Sequence, residues 1–195
     1  MSAEPRKRQQ TAKACLTEEE GTSISQARKT VQLALLASAG LVLFVFESYV
    51  PRPVPWVKVG LGNVLTLLGL IVFGPREAIL LTVVRTTLGP LILGTLLTPA
   101  FVFSFGGGLC SAGTMIAIRQ RWGGAFSIVG LSIWGALAHN SAQMALAYLL
   151  FVRSLGMAAL LWLVPGLSVV TGAVTGLVAQ WCVRKVVDKW RPNDA

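Results

Sequence analysis

ESYVPRPVPWVKVGLGN, residues 47–63, separates two long apolar segments and decides how the chain is read. It holds three prolines, a carboxylate (Glu47), two cations (Arg52 and Lys58), a tryptophan (Trp56) and an asparagine (Asn63). In so apolar a chain, such a group belongs either in water beyond a bilayer or in a polar pocket inside the protein. The stretch therefore reads as the outer connection between two membrane helices, folded over a small-molecule site whose walls come from the rest of the chain.

The flanking sequence supports that reading. Of 195 residues 54% are hydrophobic, and the mean hydropathy is +0.67, too high for a polar exterior to cover residues 31–183. The apolar runs are long enough to cross about 30 Å of hydrocarbon, which takes about 20 helical residues. They are continuous where a barrel strand would alternate. Backbone groups in lipid must be satisfied within a segment, so the spans are helices. The expected fold class is all-α: a polytopic membrane helical bundle of about six transmembrane helices, with spans near 31–50, 57–73, 77–97, 100–118, 126–152 and 157–183.

The polar ends complete the organisation. Residues 1–29 read as a disordered basic cytoplasmic tail. No apolar core follows Arg6-Lys7-Arg8 closely enough for a cleaved signal peptide. Residues 30–184 form the transmembrane domain, and 185–195 a short cytoplasmic C-terminal tail. With the N-terminus inside, thirteen of the seventeen Lys and Arg fall on the cytoplasmic side and three (Arg52, Lys58, Arg153) outside. This positive-inside bias predicts a multi-pass protein of the cytoplasmic (inner) membrane with both termini cytoplasmic. The net charge of +9 thus serves topology, and nucleic acid is not an expected partner. Cys15, Cys110 and Cys182 lack metal-ligand spacing, and the single histidine, His139, excludes a histidine-rich metal site.

Inside the spans, polar and small residues carry the information. Ala34 and Ser38 lie four apart on the first span, which suits close helix approach, either within the protein or against a partner subunit. Arg85 lies within the third, followed by Gly89-Pro90, where a kink or break is expected. Facing lipid would cost that arginine at least ~2.5 kcal/mol. It should therefore point into the protein, toward a cavity or toward carbonyls freed by the kink. Gly106-Gly107-Gly108 on the fourth span suit a close crossing or a backbone approached by ligand; no phosphate-cradling loop fits there. His139, Asn140 and Gln143 sit mid-way along the fifth, His139 and Gln143 sharing a face. Interhelical hydrogen bonding and ligand binding both account for them. Pro165-Gly166 are expected to interrupt the sixth span, and Gly172 with Gly176 to form a packing face.

Glu47, Lys58, Asn63, Arg85, His139, Asn140 and Gln143 together make the candidate substrate-binding set. Lys58 and Arg85 outnumber Glu47, which favours an anionic ligand, carboxylate or phosphate. Trp56 could pack against an apolar part of it. The two aspartates, Asp188 and Asp194, lie in the C-terminal tail, so no acidic pair can hold magnesium and diphosphate within the membrane. No nucleophilic triad or Walker motif is present either. Neither catalytic residues nor a cofactor is expected, and binding and transport are favoured over catalysis.

Several of these runs resemble one family. They are Glu47 through PRPVPWVKVGLGN, Arg85-Thr-Thr-Leu-Gly89, Gly94-Thr-Leu-Leu-Thr98-Pro99-Ala-Phe101, Gly106-Gly107 and His139-Asn140 with Gln143. In this order they resemble the Gx transporter family, also labelled heptaprenyl diphosphate synthase component I, over about residues 31–180. That family in turn resembles the substrate-binding S components of energy-coupling factor (ECF) transporters. The resemblance implies a six-helix protein that binds a nutrient near the outer face, under the loop between its first two helices. It also implies partners: a separate ECF transmembrane subunit and two ATPases, with Ala34 and Ser38 suited to docking. The synthase label implies instead an accessory membrane subunit for polyprenyl diphosphate synthesis. A solitary secondary carrier is a third option.

Overall fold

The computed structural model describes residues 4–49, 60–150 and 156–190, with side chains over 23–49, 60–150 and 166–185. All regular structure among the described residues is helical: α1 (Glu4–Tyr49), α2 (Gly62–Val72), α3 (Pro75–Ile92), α4 (Pro99–Trp122), a 3₁₀ turn (Gly123–Ala125), α5 (Ile128–Leu150) and α6 (Gly156–Trp190). The chain divides into two units, residues 1–35 and 36–195. In the first, helical backbone begins at Glu4, inside the stretch expected to be a disordered tail. Ala, Lys, Gln, Arg and Glu recur there, and all are good helix formers. The second unit holds the bundle.

Three described helical segments are long and apolar enough to cross a membrane: Ser23–Tyr49, Pro99–Ala125 and Gly166–Lys185. The others depart from that standard for identifiable reasons. α3 carries Arg76, Glu77 and Arg85, and the hydropathy of α5 is lowered by His139, Asn140 and Gln143. α2 is an apolar helix of only 11 residues.

The bundle turns large apolar side chains outward and buries polar ones among the apolar residues of its core. Side chains such as Val42, Phe46, Val170 and Leu177 are more than half exposed, while Thr82, Ser111 and Ser168 are fully buried. Hydrocarbon outside leaves no hydrophobic drive between helices, so close approach at small residues and interhelical hydrogen bonds hold them together. α2 is the centre: Gly62 through Leu70 are all buried, and it touches α3, α4, α5 and α6. Thr66 of α2 hydrogen-bonds Thr82 of α3 at 3.0 Å. Gly69 allows Leu81 of α3 to lie against the α2 backbone. Gly108 of α4 faces Thr82 and Thr86, and Gly135 of α5 faces Met115. Gly172 and Gly176 bring α6 onto the α5 backbone, where Ser132 and Thr175 share a hydrogen bond of 3.0 Å. The GxxxG face is thus an internal crossing.

Several boundaries differ from those read in the sequence. α2 begins at Gly62 because Gly60, at φ 80, turns the backbone out of the helix. Of the kink or break expected at Gly89-Pro90, the structure has a break close by: α3 ends at Ile92, short of residue 97. Gly94 at φ 67 reverses the chain, and the Thr95 N–H bonds the Pro90 carbonyl at 2.8 Å. α4 continues to Trp122, keeping Arg119 and Arg121 in its last turn, where cations favour the negative end of a helix. Pro165-Gly166 does not divide α6, whose helical backbone is continuous from Gly156 to Trp190.

Candidate functional site

The end of α1 and the start of α2 meet at one bond. The Gly60 N–H donates to Glu47 Oε1 at 2.6 Å, a carboxylate only 4% exposed. Left-handed backbone at Gly60 presents that N–H, and glycine adopts it without steric cost. Removing the acceptor should be felt. Glu47→Ala strands a half-buried N–H and is expected to cost about 1 kcal/mol. Glu47→Gln, which keeps an acceptor, should cost less. Thermal unfolding of the detergent-solubilised variants checks the order.

Arg85 reaches this same place from α3. Its guanidinium lies directly over Gly62, where any Cβ would overlap Nη1. Nη2 donates to Asn63 Oδ1 at 3.4 Å. Glu47 acts on Arg85 coulombically, and Arg85 Nε has no hydrogen-bond partner among the described residues. The first turn of α2 is closed by backbone bonds, Asn63 N–H to the Gly60 carbonyl at 2.8 Å and Val64 N–H to the Leu61 carbonyl at 3.1 Å. Arg85 and Glu47 therefore bring one cation and one carboxylate to the same buried space.

The space is a cavity to which five helices contribute. Phe44 and Glu47 come from α1, and Gly60 and Asn63 from the entry to α2. Arg85 and Thr86 of α3, Ser104 of α4 and His139 of α5 complete it. It has room for about one water molecule. A second cavity adjoins it through Gly60, Asn63 and His139, and continues to Asn140, Thr171 and Thr175 between α5 and α6. Gly107 of α4 lets the His139 ring pack against its backbone.

Of the residues singled out in the sequence, Glu47, Asn63, Arg85 and His139 share the first cavity, and Asn140 lines the second. Gln143 lines neither; its Nε2 bonds the Phe103 carbonyl at 3.3 Å, which places it in the α4–α5 contact. Ala34 and Ser38 are exposed on α1. Lys58 and Trp56 lie outside the described residues. Sequence reasoning missed Phe44, Thr86, Ser104, Thr171 and Thr175. Their signal is faint, because Ser and Thr in membrane helices usually bond their own helix, as Thr86 does to the Thr82 carbonyl at 2.8 Å.

A family model described as heptaprenyl diphosphate synthase component I matches residues 36–182. Among solved structures, the chain is similar to one described as the S component of a bacterial ECF transporter. The TM-score is 0.61 at 17% identity, over 84% of this chain and 99% of that one. No curated protein matches.

Proposed function

Because the chain belongs to the heptaprenyl diphosphate synthase component I family and has the fold of an S component, we propose that it is the substrate-binding component of an ECF-type transporter. Its ligand is a small anionic nutrient or precursor. One observation carries this reading: Arg85 lines a buried cavity with its Nε unpartnered among the described residues, while Glu47, the carboxylate there, accepts from the Gly60 N–H. A buried guanidinium with a donor to spare suits a carboxylate or phosphate. A ligand larger than water requires the lining side chains to part, and Arg85, the longest of them, is the one most able to move.

The same reading sets orientation and partners. Arg76, Arg119 and Arg121 are exposed at the opposite end of the bundle from Glu47. The positive-inside rule then turns the cavity away from the cytoplasm and puts the termini within it. Energy comes from an ECF transmembrane subunit with its ATPases, docked on the α1 face that carries Ala34 and Ser38. Native mass spectrometry of the detergent-purified protein tests the ligand directly. Wild type should retain a small anion, and Arg85→Gln should weaken its binding about 30-fold or more, the usual scale for breaking a buried charge pair. Equal retention by both would remove the site.

The family's description favours a second reading, a non-catalytic membrane accessory subunit of polyprenyl (heptaprenyl) diphosphate synthesis. Within residues 36–182 the only acids are Glu47 and Glu77, so magnesium–diphosphate chemistry would have to come from a partner. Co-purification of a prenyl synthase whose activity rises would favour that reading; co-purified ATPases would favour transport.

A further inference from the structure

The second cavity is lined in part by Asn140, whose amide oxygen stands out. Asn140 Nδ2 donates to Ser168 Oγ at 2.8 Å, which turns Oδ1 away from Ser168. That oxygen is buried and has no partner among the described residues. Water does not satisfy it, because the cavity has no room for a water molecule. Thr171 and Thr175 also line the space, and both turn their hydroxyl protons back onto α6: Thr171 to the Leu167 carbonyl at 3.0 Å, Thr175 to the Thr171 carbonyl at 2.9 Å. A buried acceptor without a partner is costly, so one placed on a cavity wall marks where a donor should arrive.

The two cavities therefore differ in chemistry. The first adds the Arg85 guanidinium to the shared lining; the second adds the Asn140 amide oxygen, which has no partner among the described residues. They share Gly60, Asn63 and His139, so the two spaces adjoin. Resting on the transport reading above, we infer that the ligand has two ends: an anionic group held by Arg85, and a neutral N–H or O–H donor accepted by Asn140 Oδ1. The donor is neutral because no carboxylate lines the second cavity and the Arg85 charge next door opposes an ammonium.

Affinity measured by ligand-observed NMR on the detergent-purified full-length protein tests this. The probes are propionate and pentanoate, with their terminal hydroxy and methoxy derivatives. At one of the two lengths the hydroxy compound should bind about tenfold tighter than the parent and the methoxy compound, the worth of one satisfied buried hydrogen bond. Asn140→Ala should erase that preference, the hydroxy compound then binding no tighter than the parent acid. Equal affinity for parent, hydroxy and methoxy compounds in wild type, or a methoxy preference, overturns the two-ended ligand and leaves the anion site standing. Failure of every carboxylate to bind wild type overturns the anion site itself, and the inference with it. The wild-type comparison decides the matter even if Asn140→Ala fails to fold.

Discussion

Gly172→Leu is expected to disrupt the α5–α6 crossing and to lower the melting temperature of the detergent-solubilised protein by roughly 6–12 °C, for about 3 kcal/mol lost in a chain of this size. The reason lies in what a side chain there would strike. A Cβ on Gly172 would sit 2.7 Å from Ile133 Cα, with the Ser132 carbonyl at 3.2 Å. These are backbone atoms of a packed helix and cannot swing aside, so α6 must move. Moving it breaks the Ser132–Thr175 and Asn140–Ser168 bonds, each between buried side chains. Gly113→Leu is the control: the residue is exposed on α4, and a Cβ there meets nothing within 4 Å. Its melting temperature should stay within a degree or two of wild type, since surface changes rarely exceed about 0.5 kcal/mol. Equal losses in the two variants would mean that the crossing is not held by close contact at Gly172.

Gly62→Val should act in the opposite way, sparing the fold and removing the ligand. The new Cβ would overlap the Arg85 guanidinium, the far end of a flexible side chain that can retreat. The backbone at Gly62 lies within helix α2 and accepts a side chain without strain. Displaced, Arg85 loses its bond to Asn63 and its position over the helix end, and ligand retention should fall about 30-fold or more, as for Arg85→Gln. The double variant should be no worse than either single one, because both remove the same interaction. Additive losses would show that Gly62 serves the site by a route other than Arg85.

The bundle was legible because isolated polar residues stand out in apolar helices. Glu47, Asn63, Arg85 and His139 could be grouped before any contact was known, since lipid offers each of them nowhere else to go. The structure places all four on one cavity. Gln143 passed the same test on the sequence, yet it bonds a backbone carbonyl between α4 and α5; burial alone does not separate a ligand-facing amide from a packing one. Gly62 escaped notice because a glycine announces nothing about the side chain, twenty-three residues further on, that will lie across it. The end of α3 was misplaced for a similar reason. Gly-Pro signals a disturbance, but whether the chain kinks or stops depends on Gly94 adopting φ 67 four residues beyond Pro90.

The brevity of α2 bears on how the protein is made. Eleven helical residues rise only about 16 Å, roughly half the thickness of hydrocarbon, and on their own they are too short to stand across a bilayer. Its neighbours α3 to α6 are all synthesised after it. The contacts that enclose α2, with α3, α4, α5 and α6, can therefore form only once segments later in the chain are in place.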